Sequence, residues 1–150
     1  MTWKPSVTVA AVIERNGRFL LVEEQDRGGG DPVYSQPAGH WEPGETLAQA
    51  CAREVLEESA HCFEPKHIVG VYRWSRPQNN VTYLRFTFCG ETHGLDKERS
   101  LDRGILRAVW LLPEEIRRLG ARHRSPLVWR SVEDYLAGRR YPLDLITHIA

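Results

Sequence analysis

The chain has 150 residues, with 20 basic and 20 acidic side chains and no net charge. A chain of that length suits one domain, here residues 1–150, and buries about two-thirds of its unfolded surface, enough for a core without covalent staples. Zero net charge disfavours a nucleic-acid polymer as partner, and Cys51, Cys62 and Cys89 have no paired spacing that would suggest disulfides or a zinc knuckle. No stretch is long and apolar enough for a membrane span or patterned like a secretory leader, so the expected setting is a reducing cytoplasm.

Val7 to Ile13 reads as a strand, Asn16-Gly17 as a hairpin turn, and Arg18 to Glu23 as the returning strand. Gln25 to Pro32, with three consecutive glycines, is a connecting loop or a substrate flap. Val33 to Gln36 is extended, and Pro37 keeps it out of helix. Thr46 and Gln49 form a capping box at the start of a helix that begins at Leu47. Ile68 to Arg73 and Val81 to Cys89 are strands around a turn at Arg76 to Asn80; Glu91 to Arg103 is polar and reads as irregular. Ile105 to Leu111 is a further strand. Pro113 opens a short helix through Leu119, with acids early and arginines late. Ser125 caps a last helix with Pro126 in its first turn and Gly138 past its end. The order is β-β-β-α-β-β-β-α-α, a mixed α/β (α+β) domain with helices packed on a curved sheet.

The helix from Leu47 carries the chemistry. At about 100° per residue, Leu47, Ala48, Cys51, Ala52, Val55 and Leu56 fall on one side, and Glu54, Glu57 and Glu58 gather on the other. Carboxylates three and four residues apart repel, and Arg53 offsets only part of that repulsion. Concentrated oxygen ligands suit a hard divalent cation that leaves positions open for substrate phosphates. Three glutamates alone describe a solvated acidic face equally well. Charge is also uneven along the chain: residues 1–102 hold 11 basic and 15 acidic side chains, and residues 103–150 hold 9 arginines and 5 acids. Mutual compensation explains that split, as does a set of arginines kept for phosphate oxygens.

The spacing around this helix is decisive. Five residues separate Gly39 from Glu45 and seven separate Glu45 from Arg53, followed by Glu54, Val55, Glu57 and Glu58. This resembles the Nudix signature, G-x5-E-x7-R-E-U-x-E-E-x-G-U, with U a bulky aliphatic residue. Ala60 and His61 depart from it, standing where the pattern has Gly and an aliphatic residue. Ala at a left-handed helix end costs about 1 kcal/mol against Gly.

The resemblance implies an α/β/α sandwich and hydrolysis of a diphosphate linked to another group, with magnesium, or manganese in its place, as cofactor. It implies that Glu57 and Glu58 are principal metal ligands and that Glu54 is a further ligand or orients water. It gives Arg53 the task of holding the glutamates, Gly39 that of offering its carbonyl to the metal, and Glu45 a structural role. Asp102, before the last strand, stands where many members carry an extra acid. Longer stretches, PSVTVA from Pro5, QPAGH from Gln36, RSPLV from Arg124 and YPLDLI from Tyr141, resemble a phosphatase branch of the family. That branch implies release of orthophosphate from nucleoside di- and triphosphates and action on hydroxymethylpyrimidine pyrophosphate, a thiamine precursor. A pyrophosphatase releasing pyrophosphate and a nucleotide sensor without catalysis are the alternatives. Trp41, Tyr34, Gln36, Trp74 and Arg85 are candidate substrate contacts. Each aromatic among them serves equally as packing, and Arg85, among apolar neighbours, needs either a buried partner or a phosphate. His40 and His61 have no ligand spacing.

Overall fold

In the computed structural model, which describes residues 2–150, a mixed β-sheet and an antiparallel one are packed between helices. The strands are β1 (Ser6–Val12), β2 (Glu14–Arg15), β3 (Arg18–Glu24), β4 (Val33–Ser35), β5 (Ala38–His40), β6 (His61–Arg76), β7 (Val81–Leu95), β8 (Ile105–Leu111) and β9 (Tyr141–Pro142). The helices are α1 (Leu47–Ser59), α2 (Pro113–Leu119) and α3 (Leu127–Leu136). One sheet has the order β5-β1-β7-β6-β9, with β1 and β7 parallel and the other neighbours antiparallel. In the second, β3 is central, pairing with β2, β4 and β8.

Consecutive core residues alternate between two apolar clusters, because both faces of the sheets are covered. Val9, Ala11, Ile13, Leu20, Ile68 and Phe88 meet Leu47, Ala50, Cys51 and Val55 of α1. Val12, Phe19, Leu21, Val69 and Cys89 meet Ile116 of α2 and Val128 and Val132 of α3. This is the expected α/β/α arrangement.

Several elements differ from the sequence expectation. The stretch from Val33 divides at Gln36-Pro37: β4 joins the second sheet and β5 the first, so this short segment ties the two sheets together. β6 begins at once after α1, and β7 continues to Leu95, so the first five residues of the polar stretch expected to be irregular belong to a long hairpin. Its pairing shifts register at three places, one between Pro65 and His67. Gly90 lies opposite that shift, where a Cβ would come within 2.0 Å of the Glu64 carbonyl oxygen. α3 starts one residue later than expected, at Leu127, whose N–H is accepted by the Ser125 hydroxyl at 3.1 Å. The capping box of α1 is present, with Gln49 N–H donating to Thr46 Oγ1 at 3.1 Å and Thr46 N–H to Gln49 Oε1 at 2.9 Å. Ala60 ends α1 in the left-handed conformation, φ 61°. Among the described residues, no helix is long and apolar enough to cross a membrane.

Candidate active site

α1 packs with its acidic flank towards β5, and Glu54 is not on the solvent side. It is only 8% exposed, on the buried flank beside Ala50 and Cys51, and this corrects the simple two-sided reading of the helix. Its carboxylate fits against Gly39, where a Cβ would come within 2.3 Å of all three of its terminal atoms. Any larger residue at position 39 must move that carboxylate, which is a reason for glycine that spacing alone does not show.

Arg53 is the hub of the acidic cluster. Its Nη1 donates to Glu54 Oε1 and Glu57 Oε1, each at 2.8 Å; its Nε and Nη2 grip Glu45 at 3.0 and 2.8 Å; Nη2 also donates to the His40 carbonyl at 2.9 Å. One planar guanidinium thus fixes α1, the turn before it and β5. Glu45 is held below the ordinary carboxylate range, chiefly by Arg53, and also receives the Glu42 N–H.

Carboxylate oxygens of Glu54, Glu57 and Asp102 lie within 4.8 Å of one another. Asp102 reaches α1 because its N–H donates to the Glu57 carbonyl at 2.9 Å. Burial pushes Glu54 up to about 7, with repulsion from Glu57 and Asp102 working against Arg53; burial and then Glu57 raise Asp102 as well. Glu58 stands apart from this triad, Oε1 accepting the Ala38 N–H at 3.0 Å, and burial pushes it up to about 8. Crowded, desolvated hard oxygen donors with one shared arginine fit a divalent cation of the magnesium type.

Glu54, Glu58 and Asp102 line a cleft of about 360 Å³. Five arginines line it too: Arg27, Arg76, Arg85, Arg103 and Arg124. Among the described residues, Arg124 alone of these has a carboxylate partner, Glu24. Arg85 donates to the Thr8 hydroxyl at 3.1 Å, and its guanidinium, desolvated and beside Arg124, is lowered to about 10 yet stays charged at neutral pH. Trp74 lines the cleft, stacked on Tyr83 with centroids 5.8 Å apart.

The structure does not bring the other expected contacts there. Tyr34 is buried in the α2–α3 core, its hydroxyl donating to Glu23 at 2.6 Å beneath the Arg122 guanidinium. Gln36 is buried, donating to the Val128 carbonyl at 2.8 Å. Trp41 donates its indole N–H to the Glu45 carbonyl at 2.8 Å and does not line the cleft. His61 is buried edge-on against Trp110 and held neutral by desolvation. Tyr83 and Arg27 escaped sequence reasoning; the alternation of β7, which puts Tyr83 on the same face as Arg85, was the signal available for Tyr83.

A carboxylate cluster on a helix, facing unpaired arginines across a cleft, suits a protein that handles polyanionic compounds together with a divalent cation. The model of the NUDIX domain matches residues 2–130. The phosphatase NudJ of Shigella boydii and that of Escherichia coli strain K12 are each 40% identical to this chain over 144 residues, 96% of it and 92% of theirs. A Nudix hydrolase from Nitrosomonas europaea is 53% identical, covering 97% of this chain and 98% of its own, with a TM-score of 0.94. The ORF135 protein of E. coli, 23% identical with 91% of each chain covered and a TM-score of 0.71, shares the fold. The chain belongs to the Nudix family and is a hydrolase of phosphoric anhydrides.

Proposed function

We propose that this enzyme is a magnesium-dependent phosphatase, with manganese able to substitute, acting in the cytoplasm on nucleoside tri- and diphosphates and releasing orthophosphate. A pyrimidine alcohol diphosphate such as hydroxymethylpyrimidine pyrophosphate suits the same cleft. The observation that carries this reading is the division of the cleft: a carboxylate wall from α1 and the Asp102 loop, and a wall with unpaired Arg85 and the Trp74–Tyr83 pair. A substrate with a phosphate tail and a flat ring matches that division. The 40% identity to phosphatases named NudJ favours terminal attack.

Glu54, Glu57 and Glu58 would hold the cation, with Asp102 beside Glu54 and Glu57 and the Gly39 carbonyl as a further donor. When bound, the cation lowers the pKa of a coordinated water and neutralises phosphate charge. The chain does the rest. Arg53 holds Glu54 and Glu57 in place from one guanidinium, and Gly39 leaves room for the Glu54 carboxylate. Glu54, with its proton affinity raised to near neutrality by burial, is suited to take a proton from the attacking water. Arg85 receives non-bridging phosphate oxygens on the opposite wall and so anchors the phosphate tail.

Hydrolysis of GTP in oxygen-18 water tests the reading. Label in orthophosphate is the expected result. Label in the nucleoside monophosphate with pyrophosphate as co-product would replace it with the pyrophosphatase reading, and binding without any turnover would replace it with a sensor.

A further inference from the structure

Trp74 and Tyr83 face each other across the β6–β7 pairing, close to the turn that closes the hairpin. Their rings lie 19° from parallel, and both line the cleft. Arg85 is two residues further in on the same strand, hence on the same face and about 7 Å away along it. The three therefore form a row: stacked rings outside, an unpaired guanidinium inside, and the carboxylates of α1 on the other wall. Neither Trp41 nor Tyr34 competes for a substrate ring, since the first does not line the cleft and the second is buried in the core.

We infer that the Trp74–Tyr83 pair is the platform on which the flat ring of the substrate stacks. This rests on the proposed function and names the substrate class: planar heteroaromatic rings joined to a di- or triphosphate. The two rings already stack on each other, so the platform is formed before substrate arrives. The rings offer π-faces and the Tyr83 hydroxyl but no fixed array of donors and acceptors, and every base has a π-face. The platform therefore selects for a ring without selecting which one. A cross-strand pair that merely holds the hairpin together has the same ring geometry, but its loss would affect ringed and ringless substrates alike.

The test compares GTP and CTP with ribose 5-triphosphate, which carries the tail without a ring. Trp74→Leu, Tyr83→Leu and the double variant are assayed with magnesium beside melting curves, and Tyr83→Phe keeps the ring. The double variant is expected to lose tenfold or more in kcat/KM for both nucleotides, mostly through KM. Ribose 5-triphosphate is expected to change less than twofold, and Tyr83→Phe to lose less than Tyr83→Leu on both nucleotides. Equal losses with and without a ring, or no loss with either, would overturn the platform. A strong preference of the parent enzyme for one base would overturn it too. Wild-type turnover of GTP tests the proposed function by itself. Should that turnover be nil, binding of GTP and ribose 5-triphosphate with calcium replacing magnesium gives the same ratio for the platform.

Discussion

The two walls of the cleft are built on different principles. The α1 wall is over-determined: Arg53 alone makes five hydrogen bonds, to Glu45 through two nitrogens, to Glu54, to Glu57 and to the His40 carbonyl. The β6–β7 wall is loosely held. Arg85 has one hydrogen bond, to Thr8, and Arg76 has no carboxylate partner among the described residues. The first wall fixes reacting groups to within fractions of an ångström. The second leaves cations and rings free for whatever enters. In the proposed reading, the chemistry belongs to one wall and substrate choice to the other.

The largest expected effect sets one wall directly against the other. Glu57→Gln removes a charge from the carboxylate triad while leaving an oxygen for Arg53, so turnover should fall by orders of magnitude with the melting temperature unchanged or raised. Arg85→Gln should raise KM for GTP about tenfold and leave kcat within a few-fold, because it removes a contact made equally in the bound and reacting states. Steady-state kinetics with magnesium checks both. Equal collapse of kcat in the two variants would erase the distinction between the walls.

Arg53→Ala comes next. It leaves Glu45, Glu54 and Glu57 without their shared donor, and loss of a residue that orients ligands costs about 10- to 100-fold in activity or metal affinity. Breaking charge-assisted bonds in a half-buried site should also destabilise the fold by about 2 kcal/mol. If magnesium restores the melting temperature but not the rate, the orienting role is separated from charge compensation. Parent-like rate and stability together would make the hub an ordinary surface arginine.

The same division decides what was legible in the sequence. The α1 wall was readable because its spacing is local: residues three and four apart on one helix meet whatever the rest of the chain does. Even there, Glu54 was grouped with Glu57 and Glu58 on the side away from the apolar residues, and the structure buries it. Its burial depends on β5 passing close over the helix at Gly39, which is tertiary information. The opposite wall depends on the parallel pairing of β1 with β7 and on a β6–β7 register with three shifts. The outer part of that hairpin, around Glu64 to Lys66 and Glu91 to His93, is largely exposed and polar, so no alternation of apolar residues announced it. Tyr83 was consequently missed beside Arg85, and Trp41 was given a place that its bond to Glu45 does not allow it to take up in the cleft. Asp102 was readable from its place before β8, and the Glu57 carbonyl that holds it there was not.

A smaller effect concerns protons on the carboxylate wall. Without metal, Glu54 is pushed up to about 7 and Glu58 to about 8 from an ordinary 4.5, chiefly by burial. Between those values the folded state holds more protons than the unfolded chain, so stability falls as pH rises. That contribution is fully present below about pH 4.5 and is lost as pH climbs through 7 and 8. His61, held neutral by burial, has the opposite slope, but its window lies below its ordinary value of 6.5. Scans between pH 7 and 8.5 therefore isolate the glutamates. The metal-free melting temperature should fall across this window, Glu58→Gln should flatten the slope, and saturating magnesium should remove most of it while releasing protons into the buffer. A flat metal-free profile would mean that this wall is as well solvated as the other.

The smallest effect lies at the end of α1. Ala60 adopts φ 61° and ψ 14°, a left-handed conformation in which a side chain is strained and glycine is not. The conformation is imposed from both sides: the Ala60 N–H donates to the Leu56 carbonyl at 2.9 Å, and its own carbonyl accepts the Asp96 N–H at 2.8 Å. Between them these bonds turn the chain out of the catalytic helix directly into β6. Ala60→Gly should relieve about 1 kcal/mol of strain, less the burial of one methyl group and the extra freedom that glycine gives the unfolded chain. The net expectation is a rise in melting temperature of about 1 to 2 °C. Turnover should not change, because the substitution leaves Arg53, Glu54, Glu57 and Glu58 where they are. A fall in stability would show that the methyl group, buried where α1 meets β6, outweighs the strain. A change in rate with stability unaltered would be the more instructive failure. It would mean that the carboxylate wall is tuned by the way its helix ends, and that the first wall is less rigid than its hydrogen bonds imply.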